Sequence, residues 1–126
     1  MKKRILLVDD APAFTRVIQR HLEATGNYEV RAENDSTKAL ATAREFQPQL
    51  ILLDVIMPDM DGGEVAAELR ADPHLKHVPI VFLTGIVSKE MVGRQGDVIG
   101  GHPFLAKPVD AGQVIRCVEE RLRPAA

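Results

Sequence analysis

Leu50-Ile51-Leu52-Leu53-Asp54 is the stretch on which the fold turns. Four apolar residues run without alternation and stop at a carboxylate. Three other runs end in a similar way: Ile5-Leu6-Leu7-Val8 at Asp9-Asp10, Val78-Pro79-Ile80-Val81-Phe82-Leu83 at Thr84, and Phe104-Leu105-Ala106 at Lys107-Pro108. Short unalternating runs are what strands covered on both faces require, and parallel sheets supply that cover. In one parallel sheet all four endings fall along a single edge, where open α/β sheets bind ligands. Three carboxylates, a hydroxyl and an ammonium on that edge point to a magnesium-dependent phosphoryl site.

The segments between the runs read as helices and one further strand. Phe14, Val17, Ile18 and Leu22 recur at helical spacing, and Gly26-Asn27 stops that helix. From Tyr28 to Ala32 apolar and charged residues alternate, as in a half-exposed edge strand. Asp35-Ser36 can cap a second helix through Phe46, which ends before Pro48. A third helix is expected from about Gly63 to Arg70, with Val65 and Leu69 on one face, ended by Asp72-Pro73. A fourth is expected between Ser88 and Ile99. Gly93 and Gly96 interrupt it, each costing about 1 kcal/mol relative to alanine, and Gly100-Gly101 closes it. The last starts near Asp110 and carries Val114, Cys117, Val118 and Leu122 on one face. Five strands and five helices fit a doubly wound, flavodoxin-like (βα)5 sheet of order 2-1-3-4-5, the alternating second strand falling at an edge. Residues 1–126 form one domain, with 123–126 a loose tail.

Bulk composition excludes several classes. The chain has 126 residues, 45% of them hydrophobic and 27% charged, ordinary values for a soluble domain. A net charge of −2 offers no nucleic-acid footprint. No apolar stretch approaches the ~20 residues of a membrane span, and Ile5 to Val8 is too short for a signal-peptide core. One cysteine forms no internal disulfide and suits a reducing compartment, so a cytoplasmic location is expected.

Asp10 before Ala11-Pro12 could serve merely as a helix cap. Two adjacent aspartates facing a third carboxylate ask for more, because clustered like charges raise one another's pKa unless a cation is present. Such oxygen donors suit Mg²⁺, which takes few carboxylates and keeps several waters. Asp54 is the candidate nucleophile, since a carboxylate oxygen can attack phosphorus and form an acyl phosphate. Thr84 can hydrogen-bond a phosphoryl oxygen with little obstruction from Gly85, and Lys107 can pair with Asp54 or its phosphate. His21, His74, His77 and His102 lack a coherent metal spacing, Cys117 reads as a small buried hydrophobe, and Phe14 and Phe46 read as core.

These motifs together resemble the receiver domain of response regulators, the CheY-like fold of two-component signalling. The resemblance covers essentially the whole chain. It rests on Leu7-Val8-Asp9-Asp10, on Asp54-Val55-Ile56-Met57-Pro58-Asp59-Met60-Asp61-Gly62, on Thr84-Gly85 and on Phe104-Leu105-Ala106-Lys107-Pro108. It implies that Asp54 is the phospho-acceptor and that Asp9, Asp10 and Asp54, with the backbone carbonyl of Ile56, surround Mg²⁺. It also makes Thr84 the switch hydroxyl, Phe104 the switch aromatic and Lys107 the phosphate-pairing lysine. The implied partners are a sensor histidine kinase or histidine phosphotransfer protein, and a downstream protein on the face of the fourth helix, fifth strand and fifth helix. No direct nucleic-acid contact or membrane insertion is expected, and no output domain lies in this chain. Such a domain catalyses its own phosphorylation and dephosphorylation but acts as a switch, not as an enzyme. Ile56 and Ile86, two residues after Asp54 and Thr84, then flank the approach of a hydrolytic water and should lengthen the life of the phosphorylated form. Gly100-Gly101-His102-Pro103 departs from the family pattern, and Pro103 should stiffen the start of the last strand.

Two other readings fit less well. A haloacid-dehalogenase-like phosphohydrolase carries its nucleophile in an Asp-x-Asp motif after the first strand, whereas Ile56 follows Asp54 here. A flavodoxin-like electron carrier needs hydroxyl donors where Asp9-Asp10 stand, and aromatic residues for the flavin; this chain is 4% aromatic.

Overall fold

The computed structural model describes residues 2–84, 98–99, 102–107 and 109–122. Its strands are β1 (Lys3–Val8), β2 (Tyr28–Glu33), β3 (Leu50–Asp54), β4 (Ile80–Thr84), β5 (Val98–Ile99) and β6 (His102–Ala106). The helices are α1 (Pro12–Ala24), α2 (Ala39–Phe46), α3 (Gly62–Ala71) and α4 (Ala111–Leu122), with a 3₁₀ turn at Ser36–Lys38. The sheet order is β2-β1-β3-β4-β6-β5. Its parallel strands β2-β1-β3-β4-β6 give the expected 2-1-3-4-5 order, and two-residue β5 adds antiparallel to β6.

The absence of alternation in the central strands has a direct cause. Leu6, Val8, Ile51, Leu53, Ile80 and Phe82 face one core with Ala43 and Phe46 of α2 and Val65 and Leu69 of α3. Their neighbours Ile5, Leu7, Leu50, Leu52, Val81 and Leu83 face a second core with Ile18 and Leu22 of α1 and Val114 and Val118 of α4. Every residue of β3 and β4 is buried. Truncating one of these leucines to alanine costs about 2–5 kcal/mol. Edge strand β2 is covered on one side, so Tyr28 and Val30 are buried while Glu29 is exposed.

Several expectations need correction. Val98–Ile99, placed at the end of a helix by the sequence, is a strand paired with His102 and Pro103. Two β-branched residues favour that conformation, and the pairing covers the outer edge of β6. The rest of that expected helix, with Gly93 and Gly96, lies outside the described residues, as do Gly85, Ile86, Pro108 and the tail. The last strand begins at His102, not Phe104; the His102 ring stands edge-on to Phe82 at 5.6 Å, and Arg70 Nη2 lies 3.1 Å from its Nδ1. Within β6, Pro103 occupies a paired position. Val17 is 52% exposed despite its helical spacing, because Thr15 takes the buried place beside Ile18 and Leu22. Cys117 is half-buried rather than core. Where one helix was expected after Asp35, the chain makes the 3₁₀ turn first, with the Asp35 side chain accepting from Thr37 N–H at 3.0 Å.

Candidate functional site

Parallel strands deliver their carboxyl ends to one edge, and β1, β3, β4 and β6 bring Asp9, Asp54, Thr84 and Lys107 there. One carboxylate oxygen from each of Asp9, Asp10 and Asp54 lies within 4.8 Å of the others. Asp9 is fully buried, Asp54 is 5% exposed and Asp10 is open to solvent. Such a donor set, hard oxygens of one sign at close quarters, fits a small divalent cation such as Mg²⁺. Among the described residues it is the only group of this kind, and none of the histidines joins it.

Asp9 is held from four directions. Its N–H donates to Glu33 O at 3.1 Å, and its own carbonyl accepts from Asn34 Nδ2 at 2.7 Å. Its Oδ1 accepts from Ala11 N–H at 2.9 Å, and its Oδ2 from Lys107 Nζ at 2.7 Å. Ala11, not Asp10, is the N-cap of α1, and no side chain caps that helix. The capping explanation for Asp10 is therefore removed, and its carboxylate stays with the acidic group.

Asp54 closes β3, and the loop after it is tied down by its own backbone. Gly62 N–H donates to Val55 O at 2.7 Å, and Ser36 Oγ donates to Pro58 O at 3.0 Å. Asp59 adopts φ 69°, a left-handed turn that aspartate tolerates. Asp61 caps α3, accepting from Glu64 N–H at 2.9 Å while the Glu64 carboxylate returns the contact. Asp59 and Asp61 thus shape the loop, and Asp54 keeps its carboxylate for the cluster. Burial chiefly, then Asp9, raise the Asp54 carboxyl to about 6; Lys107 and the Ile56 N–H oppose the rise, and Asp10 adds to it.

Lys107 reaches Asp54 as expected, but its closer partner is Asp9, which the sequence did not indicate. Its Nζ is 2.7 Å from Asp9 Oδ2 and 3.7 Å from Asp54 Oδ2. Its backbone N–H donates to Thr84 O at 2.7 Å, which fixes the lysine to the buried end of β4. Phe104 is half-buried and packs against the core that contains Phe82, its partner in register. Ile56 is 53% exposed beside the site.

Two neighbours of the site escaped the sequence reading. Asn34 follows β2 and so arrives at the same sheet edge, where its amide also donates to Thr15 Oγ1 at 3.1 Å. That placement was available from the strand order. Phe14, read as core, holds its ring 4.6 Å from Lys107 Nζ. Sequence spacing carried no sign of that contact, which joins α1 to the end of β6.

Comparison with known proteins agrees with this fold. The family model described as "Response regulator receiver domain" matches residues 5–119. Response regulator PleD of Caulobacter vibrioides is 41% identical over 111 residues, 87% of this chain and 24% of that protein. Polar-differentiation response regulator DivK of Brucella anthropi is 32% identical over 127 residues, 99% of this chain and 100% of that protein. This chain therefore spans about a quarter of PleD and the whole of DivK. Chemotaxis protein CheY4 of Vibrio cholerae superposes with a TM-score of 0.85 at 30% identity, covering 97% of this chain and 100% of that one. The receiver domain of sensor histidine kinase PA1611 from Pseudomonas aeruginosa, solved with a magnesium ion coordinated in its active-site cleft, gives 0.80 at 30% identity, covering 95% and 97%.

Proposed function

The chain belongs to the response regulator receiver domain family, and from that premise we propose that Asp54 is its phospho-acceptor. The donor is a phosphohistidine on a sensor histidine kinase or histidine phosphotransfer protein. An Asp54 carboxylate oxygen attacks the phosphorus, the O–P bond forms, the N–P bond breaks, and the imidazole nitrogen leaves with the electron pair. The observation that carries this reading is the acidic trio within 4.8 Å, with a lysine ammonium in contact at its edge.

Asp9, Asp10 and Asp54 are the side chains that would hold Mg²⁺, joined by the carbonyl of Ile56. When bound, the cation offsets the charge that accumulates as a phosphoryl group meets three carboxylates. The magnesium ion in the PA1611 receiver supports this assignment. Lys107 supplies the second positive charge and moves from Asp9 toward the phosphoryl oxygens. Thr84, at the end of β4, donates its hydroxyl to one of those oxygens, and Phe104 follows it inward. A downstream protein reads the change on a face to which β6 and α4 contribute. The chain acts as a switch that catalyses its own phosphorylation, not as an enzyme on other substrates, and works in the cytoplasm. Among the described residues no helix is long and apolar enough to cross a membrane.

Incubation with acetyl phosphate and Mg²⁺ tests the proposal. Mass spectrometry should find one added phosphoryl group on the wild type and none on Asp54→Asn. An Asp54→Asn protein phosphorylated at the wild-type rate would overturn it.

A further inference from the structure

A lysine ammonium on a flexible four-carbon stem does not fix itself in space. In this site Lys107 Nζ is nevertheless held between named neighbours: Asp9 Oδ2 at 2.7 Å, Asp54 Oδ2 at 3.7 Å, and the Phe14 ring, whose centroid lies 4.6 Å away. The carboxylates provide charge. The ring provides a wall with a negative face, the arrangement in which a cation gains from an aromatic quadrupole.

Phe14 is well placed to be such a wall. It lies in the first turn of α1, next to Thr15, whose hydroxyl donates to Pro12 O at 3.1 Å and accepts from Asn34. The same Asn34 amide holds the Asp9 carbonyl. The helix turn that carries the ring and the strand end that carries the carboxylate are therefore fastened to one another. Phe14 is half-buried and packs on the same core as Leu105 and Val109, which lie two residues to either side of Lys107 in the chain.

We propose that Phe14 is a positioning residue for phosphoryl capture: its ring face holds the Lys107 ammonium beside both carboxylates. A phosphoryl group arriving on Asp54 then finds the ammonium already 3.7 Å from the Asp54 carboxylate. The ring lets it move from Asp9 toward the phosphate without first passing into water, so the rate of capture depends on the electron density of the side chain at position 14. This inference rests on Asp54 being the phospho-acceptor.

The test separates ring electronics from packing. Phenylalanine at position 14 is replaced, by site-specific incorporation, with mono-, di- and trifluorophenylalanine, which keep its shape and drain its face of charge. Phosphorylation by acetyl phosphate with Mg²⁺ should slow stepwise along the series, to roughly threefold to tenfold below wild type. Phe14→Leu should fall at the bottom of the range and Phe14→Tyr near the top. The Lys107 ε-methylene protons should show an upfield ring-current shift in wild type that disappears in Phe14→Leu. Equal rates across the fluorinated series, or no ring-current shift in wild type, would overturn the proposal. A wild type that shows the shift but takes no phosphate would instead sink the assignment of Asp54.

Discussion

Gly62 and Asp54 meet backbone to backbone. A Cβ built on Gly62 would overlap the Asp54 carbonyl oxygen and come within 2.8 Å of Val55 Cα. Both obstacles are main chain, so neither can swing aside. Gly62→Ala should push α3 away from the end of β3 at a cost of roughly 1–3 kcal/mol, the usual scale for overpacking. A lower melting temperature, with slower phosphorylation because Asp54 is displaced, is the expected outcome. Gly63→Ala is the control, since a Cβ there meets only the Asp61 side chain, at 3.3 Å; equal melts for the two variants would contradict the argument.

Asn34 is expected to matter through its amide rather than its size. Its Nδ2 serves both the Asp9 carbonyl and Thr15 Oγ1. Asn34→Asp keeps the shape but exchanges the donor for an acceptor facing two oxygens. It should destabilise by about 1–3 kcal/mol and weaken Mg²⁺ binding measured by calorimetry. Asn34→Ala should lie between that variant and wild type.

The Asp54 carboxyl, raised to about 6 from an ordinary 3.8, gives stability a pH dependence of definite sign. Below about pH 4 the group is neutral whether the chain is folded or not, and the fold carries no penalty. Between about 4 and 6 the unfolded chain ionises first, so stability of the metal-free protein falls as pH rises, by on the order of 3 kcal/mol. Denaturant melts in EDTA should show this loss, and Asp54→Asn should lack it. Millimolar Mg²⁺ should restore stability near neutrality and do little at pH 4.5, where the proton competes with the cation. The same slope in Asp54→Asn would assign it to another group.

Ile56 should govern how long the phosphoryl group stays. It stands 53% exposed two residues after Asp54, and its side chain cannot orient a water by hydrogen bonding. Ile56→Asn supplies such a group, in the manner of glutamine in other phosphoryl-transfer sites. Loss of phosphate after the donor is removed should quicken several-fold, and more again when Ile86→Glu is added. Unaltered decay in the double variant would show that the isoleucines do not set the lifetime.

The sheet could be read from the sequence because burial on both faces leaves a simple trace. Leu50 to Leu53 are uniformly apolar since two cores need them, and Tyr28 to Ala32 alternate since only one face of β2 packs against a core. Asp9, Asp54, Thr84 and Lys107 followed from where those runs stop. Contacts fixed by side-chain reach left no such trace. Nothing in the spacing says that Lys107 rests on Asp9, or that a phenylalanine in the first turn of α1 lies beside its ammonium. Val98–Ile99 was missed for another reason: a two-residue strand is too short to show a period, and its pairing depends on the open edge of β6.

The sheet has a second end, where Gly26-Asn27, Gln47 to Gln49 and the turn before β4 gather. It is tied by contacts of its own, Lys3 N–H to Asn27 O at 3.0 Å and Arg4 Nε to Gln47 O at 2.8 Å. The six residues of β1 separate the two ends by roughly 20 Å. Asn27 is exposed, and a Cβ on the adjacent Gly26 would meet nothing within 4 Å beyond its chain neighbours. A dye, a biotin or a surface linker attached at position 27 would hang from the end of the sheet remote from the carboxylates. The molecule thus comes with a built-in handle for immobilised or single-molecule measurements of its own phosphorylation.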